Sequence, residues 1–292
     1  MAQPGKDTPA IFRRAFFILA TLAGGVFAAP PSAAPGELAQ IGKPDASEAR
    51  RLLEQFRGAG IAGEYYAEFD LQELPRHGDE TVLRGRLWGG RNAQGAILRI
   101  VLTDGAGREH RLLVQNGERA AVWRVTPGGV TQMPPSAALD PLVPGVELSA
   151  FDLQMPFLYW PGVSVESIKR MHGRPAYEFI FLPAAGFATL HPELARVRSY
   201  FDTQFNAPMQ TELLGADGRV IKTWSLVDLK TIDGQTIPKS FDVRNEVTRD
   251  KTRMVLTGVA LKLELSANFF GPAALTAEVR PPSPERIVRI AP

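Results

Sequence analysis

The feature that most restricts the fold of this chain is a period-two hydrophobic pattern, punctuated by tight-turn dipeptides, that recurs along most of its length. Tyr65, Ala67, Phe69 and Leu71 alternate with Tyr66, Glu68, Asp70 and Gln72, the pattern of a strand with one apolar face. Leu83 and Leu87 oppose Arg84 and Arg86 in the next run, and Ala96, Leu98, Ile100 and Leu102 make another apolar face. Asp104-Gly105, Asn116-Gly117, Asp217-Gly218 and Asp233-Gly234 stand between such runs, and dipeptides of this kind supply the positive φ that hairpins need. The spacing of about 8–12 residues between turns predicts consecutive antiparallel strands, about eleven in all, and not alternating βαβ units. A sheet that long twists and curls, and its concave face needs a cover.

Two segments are apolar enough to supply that cover. Residues 46–57 follow the capping residues Asp45 and Ser47 and carry Ala49, Leu52, Leu53 and Phe56 at helical spacing, before Gly58 and Gly60 stop the helix. The second is 146–162, VELSAFDLQMPFLYWPG, which holds eight large apolar residues, two acids and no base. It is too short to span a bilayer and too apolar to lie in water. Ser149 with Asp152 forms a weak capping box, predicting a short helix over 150–155 that Pro156 kinks. Trp88-Gly89-Gly90 and Pro127-Gly128-Gly129 read as turns, and residues 273–279 as a short helix within an otherwise extended or mobile tail.

The N-terminal 28 residues carry the marks of an export signal. Arg13-Arg14 precede an apolar run of about a dozen residues, and Val26-Phe27-Ala28 offers a cleavage site near Ala28. The general secretory route is preferred to the twin-arginine route that Arg13-Arg14 also resembles. Residues 29–44, rich in Ala, Pro and Gly, read as a linker. With no cysteine, the exported chain has neither disulfides nor a lipidated N-terminal cysteine. The net charge of +2 with interspersed signs points away from nucleic acid. A monomer in the periplasm is the expected state.

Catalytic and metal motifs are weak. His77, His110, His172 and His191 are scattered, no His-Glu-x-x-His or Gly-x-Ser-x-Gly occurs, and the glycine pairs lack the helix and lysine of a phosphate loop. No cofactor and no catalysis are expected; an exported hydrolase with a triad assembled from distant segments is the less favoured alternative. Aromatic residues are the remaining constellation. They build either an ordinary packed core or a cavity under a helical lid. The cavity and lid candidates are Phe56, Tyr65, Phe69, Trp123, Leu148, Phe151, Phe157, Leu158, Trp160, Tyr177, Phe179 and Phe201.

The ordered set of Leu113-Val114-Gln115-Asn116-Gly117, Leu148-Ser149-Ala150-Phe151-Asp152-Leu153, Phe157-Leu158-Tyr159-Trp160-Pro161, Tyr200-Phe201-Asp202, Asp228-Leu229-Lys230-Thr231-Ile232-Asp233-Gly234 and Ile237-Pro238-Lys239 resembles the outer-membrane lipoprotein-sorting group of the LolA-like superfamily over about residues 45–264. That resemblance implies a mainly β (α+β) fold: an incomplete β-barrel, or strongly curved antiparallel sheet, whose apolar concave face is covered by short helices. Residues 265–292 would follow it as a tail. It also implies a carrier of lipid or lipoprotein acyl chains, with a membrane-protein donor or acceptor, and no catalytic residues. Pro156 departs from the family's helical element. No residue is matched to the arginine that lies over the cavity mouth in the sorting carrier. A sensor or interaction module on the same fold is the alternative.

Overall fold

The computed structural model describes residues 45–58, 60–203, 207–266 and 268–291; the expected export signal and linker lie outside them. The described residues open with helix α1 (Ala46–Gly58), then run through strands β1 (Glu64–Leu74), β2 (Thr81–Asn92), β3 (Gly95–Thr103), β4 (Glu109–Gln115), β5 (Ala121–Thr126) and β6 (Gly129–Gln132). Helix α2 (Ala150–Gln154) and a 3-10 turn (Pro156–Tyr159) precede β7 (Gly162–Met171) and β8 (Arg174–Leu182). Then come α3 (Ala185–Leu190), β9 (Arg196–Asp202), β10 (Pro208–Leu214), β11 (Val220–Ile232), β12 (Gln235–Asn245), β13 (Lys251–Leu263) and a two-residue β14 (Val288–Arg289).

All strands join one antiparallel sheet in the order β6-β5-β4-β3-β2-β1-β13-β12-β11-β10-β9-β8-β7, with β14 attached to β13. The sheet is mainly β, open and consistent with an incomplete barrel. Gly117, Gly218 and Gly234 take the positive φ expected of the Asn-Gly and Asp-Gly dipeptides, whereas after Asp104-Gly105 it falls to Gly107. Asp233 and Gly234 both have positive φ, as do His172 and Gly173, which is the geometry of a two-residue hairpin.

The topology explains the apolar segment. Strands β1 to β6 step outward to one edge, and β7 starts at the opposite edge, so the intervening residues must travel the width of the sheet. They do so over the concave face, and α2 lies on that crossover.

Three expectations are corrected. The sheet has more strands than about eleven: β6 falls within the Gly/Pro-rich stretch read as a break, and β14 within the tail. Trp88-Gly89-Gly90 is no turn but the middle of β2, because glycine there serves packing and not chain reversal. The tail is not mobile. Ile290 joins the cluster of the concave face, beside β13, while Leu275 and Ile287 are buried on the convex face, in clusters with Leu113 and with Trp88. Arg99, buried on that face, donates to the carbonyls of Phe269 (3.2 Å) and Ala277 (2.6 Å) and lies over the Phe269 ring. Nothing in the turn-rich, proline-rich tail sequence announces this, because its apolar residues follow no strand or helix period.

Candidate functional site

The concave interior divides into two halves of different character. Over β8–β10 it is filled. Tyr177, Phe179 and Phe181 on β8 and Val197 and Phe201 on β9 meet Leu52 and Leu53 of α1, and Phe151, Phe157 and Trp160 of the crossover. Ring centroids 5.1–5.9 Å apart link Phe157 to Phe181, Phe181 to Phe179, and Phe179 to Phe201. Phe56 sits edge-on to Phe201 at 5.1 Å. Aromatic side chains from three layers converge here, and their volume leaves no room for a ligand.

Over β1–β3 and β12–β13 the interior is open and mainly aliphatic, with Tyr65, Phe69 and Phe241 among its lining. A cavity of about 210 Å³ is lined by Ala67, Phe69 and Leu71 of β1, Ile100 and Leu102 of β3, Met254 and Leu256 of β13, and Leu148 and Leu153 of the crossover, with others. At Ile61, Tyr65, Leu153 and Pro238 it borders a wider mouth of about 440 Å³, whose lining includes Phe56, Arg57, Arg91, Asn116, Met155 and Leu158.

Two glycines keep this chamber open. Phe69 pairs with Gly85 and Tyr65 with Gly89 across β1 and β2. A β-carbon on either glycine would fall 2.1 Å from the opposing ring. The rings therefore lie flat on the glycines, against the sheet, where a side chain would force them inward. Burial pushes the Tyr65 hydroxyl up to about 12, so it is a neutral phenol at the chamber's edge.

The crossover is tied down at several points. Ser149 caps α2, completing a capping box with Asp152, and Lys222 of β11 reaches the Asp152 carboxylate at 2.7 Å. Gln154 donates to the carbonyls of Gln115 (2.9 Å) and Ala121 (3.1 Å), and Arg57 donates to the carbonyl of Leu158 at 2.6 Å. Leu148 and Leu153 face the open half, Phe151 and Phe157 the filled half, and Met155 touches both. Met155 takes a left-handed φ of 46°, which ends α2. Pro156 then begins the 3-10 turn in the position where its missing N–H is harmless.

The twelve candidates thus separate. Tyr65, Phe69 and Leu148 line the chamber, and Phe56 and Leu158 the mouth. Phe151, Phe157, Trp160, Tyr177, Phe179 and Phe201 sit in the filled half, the first three on the crossover itself. Trp123 is corrected: it pairs with Leu113 and packs near Leu275 under the tail, on the opposite face of the sheet. Sequence reasoning missed the aliphatic lining because it weighted aromatics. The alternation of Leu98, Ile100 and Leu102 was the signal that could have found it.

Two histidines meet carboxylates. His110 lies 3.2 Å from Asp104 in a hairpin turn. His191 is buried between Glu193 (3.1 Å) and the Pro135 carbonyl (3.0 Å), stacked on Phe187. No serine is hydrogen-bonded to either among the described residues, and no cluster there could hold a metal. No helix among them is long and apolar enough to cross a membrane.

A family model described only as an uncharacterized protein matches residues 192–277. No curated protein matches the sequence. Among solved structures, a domain assigned to outer membrane lipoprotein sorting from Vibrio parahaemolyticus superposes with a TM-score of 0.67 at 15% identity, covering 78% of this chain and 99% of that one. A DUF1329 family protein from Desulfovibrio piger gives 0.67 at 14%, covering 79% and 98%. A LolA superfamily protein from Nitrosomonas europaea gives 0.59 at 14%, covering 76% and 96%. The chain has a LolA-like fold.

Proposed function

From a LolA-like fold with half of its interior open, we propose that this protein is a periplasmic carrier that holds lipid or lipoprotein acyl chains beneath the crossover segment. The observation that supports this most is the mainly aliphatic chamber bordering a wider mouth. Each methylene moved from water into such a space gains about 0.8 kcal/mol, so a ~16-carbon chain gains on the order of 10 kcal/mol. Crossing an aqueous compartment requires a carrier of this kind.

The size of the chamber limits how the chain lies. An apolar cavity of about 150 Å³ accepts benzene, so one of about 210 Å³ takes the end of a chain, with the remainder lying in the mouth under Leu153, Met155 and Leu158. The crossover is then the lid, and release requires only that the mouth side move. An interaction module would have both halves filled.

Equilibrium titration with a fluorescent fatty-acyl probe tests the proposal. Wild-type protein binds saturably, and Ala67→Phe, which fills the chamber, binds at least about tenfold more weakly, the equivalent of about two lost methylenes. Equal binding by a folded Ala67→Phe protein would reject the chamber as the site.

A further inference from the structure

The chamber has a long axis with two unlike ends. On β1 its wall runs from Tyr65, beside the mouth, through Ala67 and Phe69 to Leu71, a stretch of strand about 20 Å long. On the opposite wall Leu153 stands at the mouth. Leu142 lines the far end, and its N–H donates to the Leu148 carbonyl at 2.9 Å.

A different space begins where the chamber stops. It holds about 250 Å³ and is lined by Glu73, Asp104 and Val143, among others. Each of these lies one or two residues past a chamber residue, respectively Leu71 of β1, Leu102 of β3 and Leu142. Its charged residues Glu73, Asp104 and Arg108 contrast with a chamber whose one ionised lining residue is Lys239.

Leu142 and Val143 therefore form a partition. Both are buried, Leu142 against the chamber and Val143 against the outer pocket. The partition is held in place. Pro141 bridges to Ser149, the cap of α2, and Gly145, at a φ of 91°, leaves room for the Glu73 carboxylate, which stands 2.6 Å from where a β-carbon would sit. An aliphatic chain gains free energy for as long as it meets apolar wall, and gains none by pressing against a packed leucine.

Resting on the reading of the chamber as an acyl-chain site, we infer that Leu142 is the specificity-determining residue for chain length. The ligand is a single unbranched chain whose methyl end stops against Leu142, and any length beyond chamber and mouth stays in water.

The test uses the full chain, the neutral fluorescent reporter N-phenyl-1-naphthylamine, and unbranched fatty acids from octanoate to octadecanoate as competitors, each below its micellar concentration. Wild-type affinity climbs about fourfold per methylene and then levels off at one length. Leu142→Ala moves that length up by about two methylenes, Leu142→Phe moves it down, and octanoate binds all three proteins alike. Leu142→Phe carries the test if Leu142→Ala fails to fold. A leucine that only packs the fold would lower the affinity of every length by one factor and leave the limit in place. That outcome, or a wild-type affinity that keeps rising through octadecanoate, overturns the inference and leaves the acyl-chain reading standing. No binding of reporter or fatty acids removes both.

Discussion

At the scale of single residues, the chamber depends on what is missing from β2. Gly89 reads as a turn residue in the sequence and Gly85 as part of a strand, yet both act as seats, for the rings of Tyr65 and Phe69. The alternation of β1 was legible, and with it the inward direction of both rings. The glycines' role was not, because it exists only once β1 and β2 are paired in register. Gly85→Ala is expected to push the Phe69 ring into the chamber, lowering stability by about 1–3 kcal/mol through overpacking and weakening acyl-probe binding. Denaturant titration and probe titration on the same variant check both effects. Pairing Gly85→Ala with Phe69→Leu is expected to restore much of the stability.

Glu147 supplies a second residue-scale prediction. Burial raises its carboxyl above the ordinary 4.5, against the lowering effects of Asn245 and Lys222. An acid raised in the folded state contributes stability below its unfolded pKa and loses it as pH rises through the folded one. Glu147→Gln is therefore expected to stabilise the protein at pH 7 and to change little near pH 3. The gain is small, under about 1 kcal/mol, because the site is half-exposed and screened. Unfolding midpoints at the two pH values decide it.

At the scale of elements, the crossover over residues 146–162 was visible as an anomaly in composition, and its capping box was visible in Ser149 and Asp152. Its division of labour was not. Leu148 and Leu153 serve the open half while Phe151 and Phe157 fill the other, and that split is decided by which strands lie beneath, information absent from the segment itself. Anchors at Lys222, Gln154 and Thr252 hold its first part to the sheet. Breaking the buried Asp152–Lys222 pair would leave a charge uncompensated, so the first part is not the part expected to move. Pro156 disfavours the right-handed helical conformation for Met155 and so keeps α2 and the 3-10 turn separate. With Pro156→Ala the two pieces can fuse and stiffen. Stopped-flow release of a bound acyl probe is expected to slow; an unchanged rate would show that the joint is no hinge.

At the scale of the whole molecule, the meander, its antiparallel sense and the need for a concave cover were legible from period and turns. What sequence could not reveal was the strand order. The adjacency of β1 and β13 sends the crossover from one sheet edge to the other, and it is a long-range pairing without local signal. The covered convex face was hidden for a similar reason. Arg99 reads as the polar side of a strand, yet the tail buries it and its backbone carbonyls accept from the two terminal nitrogens, leaving Nε without a partner among the described residues, and burial lowers the guanidinium's pKa. Arg99→Met is expected to loosen residues 264–291, exposing them to limited proteolysis and costing about 1.5–3 kcal/mol for each strong hydrogen bond lost. Acyl-probe affinity should hold, since the chamber lies on the other face.

The central claim is that the open half of the interior carries an acyl chain. Native mass spectrometry of the protein purified from a membrane-containing host tests it most directly. The account predicts adducts of lipid or fatty-acyl mass on the wild type, depleted in Ala67→Phe. A wild-type protein that is consistently free of adducts and takes up no acyl probe would contradict it.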